Sequence, residues 1–214
     1  MSRSLPKRLW YDALRFWCRI VAVGVFRMRC YGREHVPATG SVIVLSNHQS
    51  HLDPLLVGAV LDRRVSALAR QSLFKFAPVR WLIVALDTIP IDRDGTGLGG
   101  LKETLRRLKR GEMVLIFPEG TRSADGVVAR LKPGFLALAR RSGASLLPVG
   151  IDGAYEAWPR RHKLPRPASI GLAICPPISP EQVASLDDEQ LLQLVHERIC
   201  QCQHLARRRG GAEP

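Results

Sequence analysis

The 214-residue sequence predicts a single α/β domain, a mixed, mostly parallel sheet flanked by helices, preceded by an amphipathic helix. Three observations predict it. Short apolar runs rich in β-branched residues recur from residue 42 onwards; helical stretches separate them; and Gly, Pro, Asp or Asn bounds the runs.

The amino-terminal stretch is helical by its periodicity. At about 100° per residue, Arg8, Asp12, Arg15 and Arg19 share one polar stripe, and Trp10, Leu14, Trp17, Val21 and Met28 gather opposite. Only seven uncharged residues separate Arg19 from Arg27, whereas a bilayer span needs about 20 apolar residues. A helix lying in an anionic lipid interface fits instead, with apolar area to insert and Arg3, Lys7, Arg27, Arg29 and Arg33 near the headgroups. The bland alternative is a helix packed on the domain. Residues 1–31 are therefore expected to be a membrane-associating helix and 32–214 the domain proper, with no cleaved secretory signal, because arginines interrupt the apolar stretch.

In chain order, "SVIVLS", "VSALA", "TIPI", "MVLIF", "SLLPVGI" and "SIGLAIC" are expected strands. Pro54 to Leu61, Pro78 to Leu86, Leu98 to Lys109 and Gly134 to Arg141 are expected helices, each starting or stopping near Pro, Gly or a basic residue. The tail from Pro180 through Leu205 is expected to be helical, ending in the basic run Arg207 to Arg209.

Composition narrows the function classes. Hydrophobic residues at 46% with charged residues at 24% exclude a disordered chain and a multi-span membrane protein. A net charge of +13 points to an anionic partner, whether nucleic acid, anionic lipid or an acidic carrier protein. Nucleic-acid binding wants aromatics interleaved with basic residues for stacking, but Trp10, Phe16 and Trp17 lie on an apolar helix face, so no nucleic acid is expected. Five cysteines, without paired zinc-ligand spacing, predict reduced thiols and no metal.

Two strand ends carry chemistry. "VLSNHQSHLDP" places Asn47, His48 and Asp53 just after a buried strand, at the carboxyl edge where open α/β sheets bind ligands. His48 and Asp53 are five residues apart, and on a continuous helix they would point apart, so they meet only if the backbone turns. A capping box between Ser50 and Asp53, with Pro54 in the first helical turn, supplies such a turn. Asp53 could then hold one imidazole nitrogen while the other takes a proton from a substrate hydroxyl; capping alone is the rival use of Asp53. "VLIFPEGTRS" ends a second strand with Glu119, Gly120, Thr121, Arg122 and Ser123, a set suited to a phosphate or carboxylate, although a capped turn with a surface ion pair has the same composition. "IPIDRDG" offers Arg93 as a second cation, with pairing to Asp92 or Asp94 as the alternative; Lys132 in "LKPG" reads as a surface lysine.

These segments, in this order, resemble the lysophosphatidate and glycerol-3-phosphate acyltransferase family from about Gly32 to Ile178. "NHQSHLD" is similar to the family's first motif, "PIDRDG" to its second, "FPEGTRS" to its third and "LLPVGI" to its fourth. The resemblance implies that His48 is the general base and Asp53 its orienting partner. It also implies that Arg93, Glu119, Gly120, Thr121 and Arg122 position the acceptor and its phosphate, with Asn47 beside them. The expected reaction moves a fatty acyl group from acyl-CoA or acyl-carrier protein to a hydroxyl of lysophosphatidate, without cofactor or metal, on the cytoplasmic face of a membrane. In "ALARQSLF", Arg70 keeps a cation common in the family at that place, while Gln71 and Ser72 lack the usual acid. Another acceptor, or a non-catalytic module binding anionic membranes, remains open at this point.

Overall fold

The computed structural model describes residues 5–71, 80, 83–84, 86–91, 98–159, 161–162 and 164–210. Helix α1 (Leu5–Gly24) leads into β1 (Arg29–Tyr31) and a 3-10 turn at Arg33–His35, followed by β2 (Val42–Ser46), α2 (Asp53–Val60), β3 (Val65–Arg70) and β4 (Ile89–Ile91). Next come α3 (Leu98–Leu108), β5 (Met113–Ile116), α4 (Gly134–Ser142), β6 (Ser145–Asp152), α5 (Ala154–Ala157) and β7 (Gly171–Ile174). Helices α6 (Pro180–Ser185) and α7 (Asp188–Gly210) close the described chain.

The strands form one seven-stranded sheet in the order β1-β7-β6-β2-β5-β3-β4. Every neighbouring pair is parallel except β6 with β7. All six expected strands are present; β1, an edge strand of sequence Arg-Cys-Tyr without a β-branched apolar run, is an addition. The central strands are apolar along their whole length because both faces are covered. Val42, Val44, Met113 and Leu115 turn towards α1 and α2, and Ile43, Leu45, Val114 and Leu146 turn towards α3, α4, α6 and α7.

The tail is two helices rather than one. Ser179 caps α6 in a reciprocal box with Gln182, and the chain breaks at Leu186 before Asp187 accepts the Gln190 N–H at the start of α7. Helix α7 lies directly on β6 and β7. A Cβ on Gly150 would overlap the Gln203 backbone, and one on Gly171 would overlap the Ala206 carbonyl, so glycine at both positions lets helix and sheet touch. The same contact brings Cys175 and Cys202 together as a disulfide, where the sequence suggested only reduced thiols; Cys18, Cys30 and Cys200 are free. Spacing of 27 residues carries no signal for such a pair, which only the packing of α7 on β7 creates. The expected helix Pro78 to Leu86 falls mostly outside the described residues.

Helix α1 is amphipathic as expected, but Arg15 and Arg19 of its polar stripe turn towards α2. Arg15 donates to the Leu61 and Asp62 carbonyls, and Arg19 to the Ala59 carbonyl and the Asp62 carboxylate. These guanidiniums sit where the last carbonyls of α2 carry the negative end of its dipole, which explains why the stripe docks on protein instead of lipid. Ala22 and Phe26 enter the core. The opposite face is exposed and apolar: Leu9 65%, Phe16 61%, Trp17 63% and Val23 59%, with Trp10 and Ile20 also open. No described helix is long and apolar enough to cross a membrane.

Candidate active site

Strands β2 and β5 are parallel neighbours, with Leu45 beside Ile116, so the loops that leave their carboxyl ends emerge side by side. The first loop carries His48 and Asp53, the second Glu119 to Ser123.

The His–Asp pair meets because Asp53 folds its own loop. Its Oδ2 accepts from Gln49 N–H at 2.7 Å, from Ser50 N–H at 2.8 Å and from His48 Nδ1 at 2.7 Å. The carboxylate therefore closes the turn and orients the imidazole through one oxygen. It is fully buried at the first turn of α2, where the helix dipole favours a negative charge. The capping box forms in one direction only: Ser50 Oγ accepts from Leu52 N–H and donates to the Trp158 carbonyl, leaving Leu52 as N-cap without a side-chain bond. With Nδ1–H committed to Asp53, the His48 lone pair is on Nε2, which makes no hydrogen bond among the described residues. The ring is 20% exposed and stacks on Phe117, 4.1 Å between centroids and 18° from parallel. A phenyl face under the ring fixes its plane and favours the imidazolium when it forms.

The second loop is stitched to the first. Glu119 Oε1 accepts from His48 N–H at 2.7 Å, its Oε2 accepts from Ala129 N–H at 3.1 Å, and the Ser123 N–H donates to the His48 carbonyl at 2.7 Å. Arg122 donates to His51 Nε2, which makes a further tie between the loops. Burial first, then the Arg122 and His48 charges, lower the His51 pKa and keep it a neutral acceptor. His51, the second histidine of the first loop, has Nε2 occupied and no carboxylate partner among the described residues.

Asn47 and Glu119, expected beside the acceptor, hold the scaffold instead. Asn47 is buried and exchanges two 2.8 Å bonds with the backbone of Ile151, tying β2 to β6. Glu119 is buried with both oxygens on backbone N–H groups, so it positions His48 and the 129–132 segment. Gly120 takes the left-handed conformation at φ +73°, Thr121 is exposed and Arg122 half-buried, so these three face the open side of the loop. Arg93 lies outside the described residues.

Two glutamines escaped sequence reasoning. Gln49 Nε2 and Gln203 Nε2 donate to the same Gly126 carbonyl, at 2.6 and 2.7 Å, and Gln49 Oε1 accepts from Ala154 and Tyr155 N–H. They clamp the end of the Glu119 loop from the first loop and from α7. Gln49 sits between the more conspicuous His48 and Asp53; Gln203 lies 80 residues beyond Ser123 (203 − 123) on a helix with no motif.

Burial raises the Glu119 carboxyl from its ordinary 4.5 to about 7, against the pull of the His48 and Ala129 N–H groups. The folded state thus holds this proton more tightly than the unfolded chain. Its stabilising contribution is largest below the unfolded value and is lost as pH rises through about 7. Thermal melts from about pH 5 to about pH 8 are expected to fall more steeply for the wild type than for Glu119→Gln; parallel curves would contradict the assignment.

Comparison with known proteins gives one answer. Residues 27–152 match the family model described as "Acyltransferase". The 1-acyl-sn-glycerol-3-phosphate acyltransferase of Pseudomonas aeruginosa is 30% identical over 226 aligned residues, covering 98% of this chain and 86% of the relative. The Bacillus subtilis protein of the same description is 26% identical, covering 81% and 85%. A crystal structure of the 1-acyl-sn-glycerophosphate acyltransferase of Thermotoga maritima superposes with a TM-score of 0.82 at 27% identity, over 96% of this chain and 83% of that one. The His–Asp pair at the carboxyl edge of a mostly parallel sheet and a family match over more than half of its length agree: the chain belongs to the acyltransferase family.

Proposed function

We propose that the protein transfers a fatty acyl group from the thioester of coenzyme A or acyl-carrier protein to the free hydroxyl of 1-acylglycerol 3-phosphate, giving phosphatidate for phospholipid synthesis. One observation carries this reading: the backbone of His48 is bonded to Glu119 and Ser123, so the base and the Gly-Thr-Arg loop form a single rigid unit. His48 Nε2 takes the hydroxyl proton as the oxygen attacks the thioester carbonyl carbon. The tetrahedral species collapses with cleavage of the C–S bond, and the imidazolium returns the proton to the leaving thiolate. Asp53 stabilises the imidazolium, and no acyl-enzyme is needed because both substrates meet in one site. Arg122 holds the acceptor phosphate with forked hydrogen bonds, and Arg93 is proposed to share that role. The names of the relatives from three bacteria support the same acceptor here.

Docking is assigned to residues 1–31, on the cytoplasmic face of an anionic membrane, with 32–214 as the acyltransferase domain. The open face of α1, with Trp10, Phe16, Trp17 and Ile20, supplies apolar area for insertion. Because Arg15 and Arg19 are committed to α2, the headgroup cations are the exposed Arg27 and Arg29 together with the net charge of +13.

The test uses the full chain on vesicles containing phosphatidylglycerol, crossing acyl-CoA and acyl-carrier-protein thioesters with lysophosphatidate, glycerol 3-phosphate and a neutral lysolipid. Lysophosphatidate is expected to have the highest kcat/KM, and a neutral lysolipid turned over equally well would overturn the assignment of the acceptor. In the same vesicles a Phe16→Ser, Trp17→Ser variant is expected to lose co-flotation; undiminished flotation would remove α1 as the docking element.

A further inference from the structure

The lysine of "LKPG" is not an ordinary surface side chain. Its backbone N–H donates to the Pro118 carbonyl at 2.8 Å, and three residues earlier Ala129 N–H is held by Glu119 Oε2 at 3.1 Å. Leu131 between them is buried. The 129–132 segment is therefore bound at two points along the Pro118–Glu119 strand end, and Lys132 leaves it directly over Gly120. A Cβ on Gly120 would stand 3.1 Å from Lys132 Cδ and 3.2 Å from both Cε and Nζ. The last three atoms of the side chain thus lie across the glycine backbone, in contact that most other residues would crowd. Glycine at 120 is required twice, for its φ of +73° and for this close approach.

Charge points the same way. Among the described residues no carboxylate lies within ion-pair distance of Lys132 Nζ. The nearest acid in sequence, Asp125, accepts from Ser123 Oγ and Val127 N–H, and Glu119 is buried with both oxygens on backbone N–H groups. Lys132 is exposed, so its ammonium points to the open side of the loop, the side that carries Thr121 and Arg122. A phosphate monoester carries between one and two negative charges near neutral pH, and one guanidinium matches only part of that charge.

We propose that Lys132 is a specificity-determining residue, whose ammonium, held over Gly120, pairs with Arg122 to select a dianionic phosphate on the acceptor. This inference rests on the acceptor reading above and adds an ammonium to the guanidiniums proposed there. Lys acts as a point charge and Arg as a fork, so the open side of the Gly120–Thr121 turn presents complementary kinds of phosphate donor.

The experiment is a charge series at one position, Lys132→Arg, Lys132→Met and Lys132→Glu, in the full chain on phosphatidylglycerol vesicles, with acceptor and donor KM measured separately. Lys132→Met is expected to raise the KM for lysophosphatidate about tenfold, the size of one charge-assisted hydrogen bond. Lys132→Glu is expected to raise it further and Lys132→Arg to restore it, with donor KM and melting temperature unchanged throughout. A Met variant within twofold of wild type for the acceptor would overturn the proposal, as would a donor KM raised by the same factor. Failure of the underlying reading shows up elsewhere, as wild-type protein that does not prefer lysophosphatidate or as Arg122→Met without effect.

Discussion

His48→Ala is expected to lower kcat for acyl transfer by roughly 10⁴-fold, the upper range for a positioned general base, while the folded state persists. The reason is geometric. The other imidazole of the loop cannot take over, because His51 spends Nε2 on Arg122. The fold tolerates the change because the His48 backbone, through its bonds to Glu119 and Ser123, does the stitching, and alanine keeps both bonds. Single-turnover kinetics with an unchanged melting temperature are the measurement. Substantial turnover by the purified variant would remove His48 as the base.

Asp53→Asn is expected to cost less, roughly 10²- to 10³-fold in kcat, and to separate charge from geometry. The amide oxygen can take the place of Oδ2, because Gln49 and Ser50 present two N–H donors there and would repel the NH2 end. That orientation preserves the turn and the Nδ1–H tautomer of His48, so only the charge that stabilises the imidazolium is lost. The NH2 then occupies the Oδ1 position, which is buried and lacks a hydrogen-bond partner among the described residues. An unsatisfied buried donor costs about 1–3 kcal/mol, so the melting temperature falls along with the rate. A variant with near wild-type kcat would mean that Asp53 only builds the turn.

How much of the site was legible depended on whether a residue's role was local. The meeting of His48 with Asp53 was legible because both stand in one short motif at a strand end. Asn47 and Glu119 were expected beside the acceptor, and their bonds to distant backbone groups were not legible. A polar side chain next to a catalytic one looks available to substrate, and only burial with both acceptor and donor groups engaged reveals a scaffold. Lys132 was set aside since its spacing of twelve residues from Gly120 (132 − 120) has no motif to carry it. The arginine stripe of α1 misled for a related reason: a helical wheel gives the faces of a helix without saying what stands opposite them.

By itself the sequence determined the alternation of strands and helices, six of the seven strands, the acidic–imidazole pair and the amphipathic character of α1. All of these follow from periodicities and capping chemistry within a dozen residues. The tertiary structure alone decided the rest. It set the strand order that brings the β2 and β5 loops together, the inward turn of the α1 arginines, the Cys175–Cys202 bond, and the clamp of Gln49 and Gln203 on one carbonyl. Each of these joins residues far apart in the chain, where contact depends on how layers pack and leaves no local pattern to see.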